Sequence, residues 1–247
     1  ALPIPPKIAL TTNGLRLPAL AGPLRDAGLE RVNVSLDTLD PERFKKLTYR
    51  DRHADVLAGI AAAQEAGLLP VKVNAVLMRG INEDEAVPML RHALANGWSL
   101  RFIEQMPLDA QGAWDRSAMV TADDIFAMLA EEFTLAPVPT RGSAPAEEFL
   151  VDGGPATVGI IASVSKPFCA ACDRLRLTAD GQVRNCLFAQ DETDVRAVLR
   201  DEALDEGQRR ALVAERLGLS VRAKLPGHGI NDPGFLQPAR PMSAIGG

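Results

Sequence analysis

The chain contains three cysteines, Cys169, Cys172 and Cys186, all within the stretch FCAACDRLRLTADGQVRNCLF at residues 168–188. The first two form C-x2-C, a spacing that lets two thiolates reach one metal centre from a single turn. Cys186 follows a predicted hairpin turned at Asp180-Gly181 and can return to the same point. Structural zinc takes four protein ligands, and His53, His92 and His228 stand in no spaced motif with the cysteines. An iron–sulfur cube usually takes four thiolates, so three leave one iron open. Spacing leaves three readings standing: a cluster, zinc with a fourth ligand not evident in the sequence, or free thiols. Arg174 and Arg176 lie two apart on the predicted strand RLRL, so they are expected to project together, with Leu175 and Leu177 on the other face. Two guanidiniums beside a metal centre suit a polyphosphate or carboxylate through bidentate hydrogen bonds. The plainer alternative is the solvated face of a hairpin edge.

Such side chains need a scaffold, and residues 1–110 supply a regular one. KIALTTNG reads as a short strand, PALAGPLRDAG as a helix closed by Gly28, and RVNVSLD as a strand. Asp40-Pro41-Glu42 reads as a helix start with proline near its first position. VLAGIAAAQEAG is a helix ending at Gly67, PVKVNAVLM a strand, NEDEAVPMLRHALANG a helix ending before Gly97, and LRFIEQM a fourth strand. Repeated β–α units with short links predict a parallel sheet with helices outside.

The strand faces carry more. Val32, Val34 and Leu36 share one face, with Asn33, Ser35 and Asp37 on the other; Val71 and Val73 oppose Lys72 and Asn74; Ile8 and Leu10 oppose Thr11 and Asn13. A parallel sheet is normally apolar on both faces. One apolar and one polar face predict a curved sheet, a barrel or part of one, around a polar cavity. A lysine inside such a cavity is costly unless an anion meets it. Four β–α units are too few to close a barrel around a pocket, so something N-terminal is expected to be absent.

Residues 111–247 change character. TADDIFAMLAEEF reads as a helix capped by Thr121, EFLVDGGPATVGIIASVS as two strands around a Gly-Gly turn, and 191–218 as helical. The tail LPGHGINDPGFLQPARPMSAIGG is rich in Gly and Pro and is expected to be irregular. The division drawn is therefore 1–110 as a partial barrel and 111–247 as a C-terminal α+β extension.

Composition excludes several classes. The net charge is −5 and the pI about 5.3, so no global positive field favours nucleic acid or an anionic membrane. Aromatics are 4%, too few for base-stacking platforms. No apolar run reaches the roughly 18 residues of a membrane span, and the N-terminal residues lack a signal-peptide pattern. Few cysteines, odd in number, point to a reducing, cytoplasmic setting rather than a disulfide scaffold.

FCAACDRLRLTADGQVRNCLF resembles the C-terminal cluster motif of the GTP 3′,8-cyclase family, the molybdenum cofactor biosynthesis protein A family of the radical S-adenosylmethionine (SAM) superfamily. LTTNG, VNVSLD, VKVNAV, RFIEQM and the final Gly246-Gly247 match in the same order. The resemblance implies an incomplete (β/α)6 TIM-like barrel with a C-terminal extension carrying a second Fe–S site. It implies that an N-terminal cluster cleaves SAM, and that the resulting radical takes the 3′ hydrogen of GTP, whose sugar then attacks C8. The product is (8S)-3′,8-cyclo-7,8-dihydroguanosine 5′-triphosphate, on the way to molybdopterin.

Residue by residue, the resemblance makes Cys169, Cys172 and Cys186 ligands of a C-terminal 4Fe–4S cluster whose open iron holds the guanine. It makes Thr11, Lys72, Arg101, Arg174, Leu175 and Arg176 GTP-binding, and Ser35 and Met106 SAM-binding. It also implies a homodimer. Plainer roles exist for each: Lys72 or Arg101 as ion pairs with Asp37 or Glu104, Thr11 and Ser35 as local hydrogen-bond partners, Met106 as packing. One departure is large. The family's N-terminal C-x3-C-x2-C motif does not occur in this sequence, and against the family's barrel the first two β/α units are expected to be missing too. The chain is therefore expected to be a fragment retaining the GTP half, inactive alone, which aggregates or leans on a partner because of an open strand edge. The alternatives are an inactive Fe–S and GTP-binding protein, or a zinc-stabilised β/α domain.

Overall fold

Alternation along the strands becomes a two-faced sheet in the computed structural model, which describes residues 5–110, 112–139 and 141–245. Gly246 and Gly247 of the terminal motif lie outside the described residues. The first strands and helices follow one another as β1 (Ala9–Thr12), α1 (Leu17–Asp26), β2 (Arg31–Ser35), α2 (Pro41–Thr48), α3 (His53–Glu65), β3 (Lys72–Val76), α4 (Ala86–Asn96) and β4 (Ser99–Ile103). Then come α5 (Ala122–Ala130), β5 (Leu135–Pro137), β6 (Glu147–Val151) and β7 (Thr157–Ile161). The sheet order is β1-β2-β3-β4-β7-β6-β5. Pairing is parallel from β1 through β4 to β7, then antiparallel to β6 and β5. The result is a mixed α/β sheet of partial-barrel type. The two strands around the Gly-Gly turn thus do not form a layer of their own, because β7 finds its neighbour in β4 and brings β6 with it.

Local chemistry sets the element ends. The Asp40 carboxylate accepts from the N–H groups of Glu42 and Arg43 at 2.8 and 2.9 Å, and Pro41 fills the first helical position. Thr121 and Asp124 form a reciprocal capping box at α5. Gly97 closes α4 with φ of 68°, a conformation glycine adopts without strain. The core lies on one face of the sheet: Val32, Val34, Val73, Leu100, Phe102 and Val158 are buried beneath the helices, with Ile60, Leu90 and Ile125 facing them. Burying each such side chain stabilises by roughly 1.5–3 kcal/mol.

Two expectations on β1 change. Ile8 precedes the strand and is 48% exposed, and Leu10 is only half-buried. The cause is position: β1 is the edge of the sheet and has a neighbour on one side alone. After β1 the chain passes very close to α3. A Cβ on Gly59 would lie 2.2 Å from the Gly14 carbonyl oxygen, so only glycine permits this crossing.

The first compact unit reaches Gln105 and takes in Ser117–Arg141 and Ala146–Ser165; the second holds Met106–Arg116, Gly142–Pro145 and the described residues from Lys166 onward. In the second unit β8 (Arg176–Leu177) and β9 (Gln182–Arg184) form the expected hairpin, with Leu177 opposite Val183 and Gly181 at φ of 83°. A short β10 (Thr193–Asp194), not foreseen from sequence, adds to β9. α6 (Arg196–Arg200) and α7 (Glu206–Arg222) follow, α7 opened by an Asp205–Gln208 capping box. The irregular tail returns to the hairpin, where Arg240 meets Asp180 and Glu192, each at 2.8 Å. No described helix is long and apolar enough to cross a membrane.

Candidate functional site

In the first unit, strand register places the polar residues in two rows. Thr11 is registered with Asn33, Asn33 with Lys72, and Lys72 with Ser99. Two residues further along, Ser35 is registered with Asn74, Asn74 with Arg101, and Arg101 with Gly159. Four residues singled out from sequence, Thr11, Lys72, Ser35 and Arg101, therefore fall on adjacent rows of one sheet. Asn33 and Asn74 fill the positions between. The Asn33 amide donates to Thr11 Oγ1 at 3.1 Å. The Asn74 carbonyl oxygen is buried without a hydrogen-bond partner.

This face carries more positive than negative charge. The Arg101 side chain is 15% exposed, its terminal nitrogen reaches Glu148 only at 3.8 Å, and its Nε is buried without a partner. Gly159 gives Arg101 room: a Cβ there would sit 3.0 Å from the arginine Cγ. Burial lowers the Lys72 pKa, the charges of Arg101 and Arg31 lower it further, and Glu148 opposes them. Burial likewise lowers Arg101, against the pull of Glu148 and with Arg31 adding to it. Lys72 and Glu148 line a cavity of about 490 Å³ with Trp98 and Thr157.

The ion pairs considered from sequence are not the ones formed. The partner of Arg101 is Glu148, not Glu104. Glu104 is fully buried and turned to backbone: it accepts from the N–H groups of Ala122, Val164 and Ser165 at 2.7, 2.8 and 2.8 Å, and from the Ser165 hydroxyl. It thereby fastens the end of β4 to the start of α5 and the end of β7. Asp37 accepts from the Val76 N–H at 2.9 Å; burial raises its pKa and that hydrogen bond counters it.

In the second unit, the C-x2-C pair sits on the one-turn 3-10 helix Cys169–Ala171, closed by Cys172 N–H to the Cys169 carbonyl at 3.0 Å. Cys169, Cys172 and Cys186 are half-buried free thiols that line one cavity of about 800 Å³, together with Asn185, Lys224 and His228. Each sulfur meets a donor. The His228 backbone N–H reaches Cys169, Arg174 Nε reaches Cys172 at 3.4 Å, and Phe188 N–H reaches Cys186 at 3.4 Å. Burial, then the charge of Cys186, push the Cys169 thiol up. Burial also pushes on Cys172, but the Arg174 hydrogen bonds and the charges of Arg174 and Lys224 outweigh it and leave that thiol below its ordinary value. Among the described residues, no three His, Cys, Asp or Glu side chains are gathered closely enough to hold a metal ion.

The arginine pair is corrected. Arg174 is not on the strand, which begins at Arg176; it is exposed, turned back to Cys172 and stacked 5.0 Å from the Phe168 ring centroid. Arg176 is half-buried, and Leu175 and Leu177 are 37% and 67% exposed. The C-x2-C turn closes only at Cys172, and the chain leaving it becomes a strand only at Arg176. Met106 lies in this unit, half-buried, with its carbonyl accepting from the Leu108 N–H at 2.8 Å. Lys224 and His228 are the residues sequence spacing missed. They are brought to the cysteines by the fold of the tail, and no local pattern announces them.

Residues 98–229 match the family described as Molybdenum Cofactor Synthesis C, and residues 4–93 match the Radical SAM superfamily. GTP 3′,8-cyclase of Streptomyces coelicolor is 60% identical over 244 residues, covering 98% of this chain and 70% of that protein. The enzyme of the same name from Mycobacterium sp. strain KMS is 58% identical, covering 98% and 68%. GTP 3′,8-cyclase 2 of Mycobacterium tuberculosis H37Rv is 55% identical, covering 98% and 67%. Two family matches in tandem, and relatives of one name at this identity along nearly the whole chain, agree with the motifs and the sheet: the chain belongs to the GTP 3′,8-cyclase family of radical SAM proteins.

Proposed function

We propose that this chain binds GTP for cyclisation between C3′ and C8, the activity its relatives are named for. The observation that carries the proposal is the cationic face of the first unit's sheet. Lys72 and Arg101 are held there by register, with one distant carboxylate between them. Leaving such charges poorly paired costs stability unless a polyanion meets them. In this reading Thr11, Lys72 and Arg101 bind GTP, and Ser35 lies at the SAM position. In the second unit, Arg174, Leu175 and Arg176 take part in GTP binding and Met106 in SAM binding. Bidentate guanidinium contacts hold phosphate in a fixed orientation, and the Thr11 hydroxyl, already steadied by Asn33, can turn its own proton to an acceptor.

The second unit's thiols fit a 4Fe–4S cluster. They are soft donors in one cavity, each already meeting a polar hydrogen, as thiolates of such clusters do. A cube also takes its ligands from farther apart than a zinc ion, which holds each sulfur at about 2.3 Å. When bound with three protein thiolates, the cluster supplies an open iron for the guanine. The residues of this sequence do not fit the SAM-cleaving cluster, since no C-x3-C-x2-C occurs. Ser35 and Met106 are accordingly read as binding positions only.

Anaerobic reconstitution tests the reading. It should load about four irons per chain with broad visible absorption that Cys169→Ala abolishes. GTP titration by calorimetry should show binding that Lys72→Ala and Arg176→Ala weaken. A colourless protein with one zinc, or GTP binding indifferent to both substitutions, would overturn it. Sedimentation velocity tests the homodimer that belongs to the same reading.

A further inference from the structure

Two segments bring the three sulfurs to one cavity, and neither is a long regular element. Cys169 and Cys172 sit on a single turn, and Cys186 just beyond the two-strand hairpin. Such a site needs something to hold its spacing. Lys224, two residues past the end of α7, occupies that position. Its ammonium donates to the Asn185 carbonyl at 2.6 Å and to the Arg174 carbonyl at 2.8 Å, and stands 4.0 Å from Cys172 Sγ. An ammonium has three donors. Two tie together the chain just before Cys186 and the chain just after Cys172, and the third faces the sulfur.

We propose that Lys224 is a positioning residue of the three-cysteine site, bracing the Cys172 and Cys186 segments and placing a fixed positive charge beside Cys172. This rests on the cluster reading above. The other sulfur donors are backbone N–H groups or the nearby Arg174. Lys224 instead brings a charged side chain from a separate segment, 52 residues from Cys172. Partners that hold and hydrogen-bond a metal's ligands change its affinity by about 10–100-fold. A cation next to the sulfurs also favours the more negative, reduced cluster, so it raises the reduction potential.

The test uses the reconstituted chain and two readouts besides activity: the rate of iron loss to a chelator, and the cluster's reduction potential. Lys224→Met should speed iron loss about tenfold or more and move the potential to a more negative value. Lys224→Gln can still donate to a carbonyl and so secures the test if the methionine variant does not fold. It should lose iron at an intermediate rate and show the same direction of potential shift. A cluster that forms in the wild type and keeps both wild-type values in Lys224→Gln overturns the proposal. A wild type that takes up no iron overturns the cluster reading, and the lysine's role with it.

Discussion

The two units place their chemistry by opposite means. On the sheet, Thr11, Ser35, Lys72 and Arg101 inherit their positions from strand register, and the opposite face of each strand is locked into a core whose valines are fully buried. In the second unit, the cysteines and Arg174 lie on a single turn and on loops around a two-residue strand, held by hydrogen bonds to Arg174, Lys224, Phe188 and His228. The first arrangement is fixed before a ligand arrives. The second depends on a few polar contacts, and an occupant of the cavity would add to them. Binding residues set on a rigid scaffold change little with their neighbours; those set on loops are the first to drift.

That contrast can be broken where the scaffold is most dependent on one residue. Glu104→Ala should lower the unfolding free energy by about 4 kcal/mol, because three N–H groups, two buried and one half-buried, lose their acceptor together. Urea titration measures it; a loss under about 1 kcal/mol would mean that water reaches those groups. Gly59→Ala should cost about 2 kcal/mol, since the new methyl meets the Gly14 backbone. Both residues lie in the first unit, and either loss is expected without a change in the iron loading of the second unit's cysteines.

Next in size are the ligand effects. Lys72→Met should weaken GTP about tenfold or more while stabilising the unliganded protein at neutral pH. The sign follows from the lowered pKa. The folded state disfavours the charged lysine, so the penalty is full below the folded pKa and fades as pH rises toward the ordinary 10.5. Melting temperatures of wild type and variant should therefore converge in alkali; a constant gap would contradict this.

The smallest effect is in the tail clamp. The hydrogen bond from Arg240, then that from Thr178, hold the Asp180 carboxyl down to about 2. A depressed carboxylate contributes stability above its unfolded value of 3.8, and that contribution is lost as pH falls through about 2. NMR titration of Asp180 should give a midpoint near 2 in the wild type and a higher one in Arg240→Ala. Identical midpoints would remove the clamp.

The same contrast explains what could be read from sequence. Alternation in RVNVS and VKVNAV is a local signal, and it identified both the buried valines and the polar face. Asp40-Pro41 and Thr121 announce helix starts through contacts within three residues. Arg174 was misplaced because RLRL alternates like a strand, while the preceding turn directs the arginine back to Cys172. Glu104 read as a charge partner because sequence shows its charge and not the three amides around it. Lys224 and His228 reach the cysteines across about 40 to 60 residues of sequence separation, a distance over which spacing carries no signal.

The rows of the first sheet have one more consequence. Side chains alternate with a period of two, so sliding β3 by one residue against β2 would turn Lys72 inward and Val73 outward. A wrong pairing would thus bury an ammonium among Val32, Val34 and Leu100. The lysine suited to an anion also acts as a proofreader of assembly, rejecting the shifted sheet before any nucleotide is present.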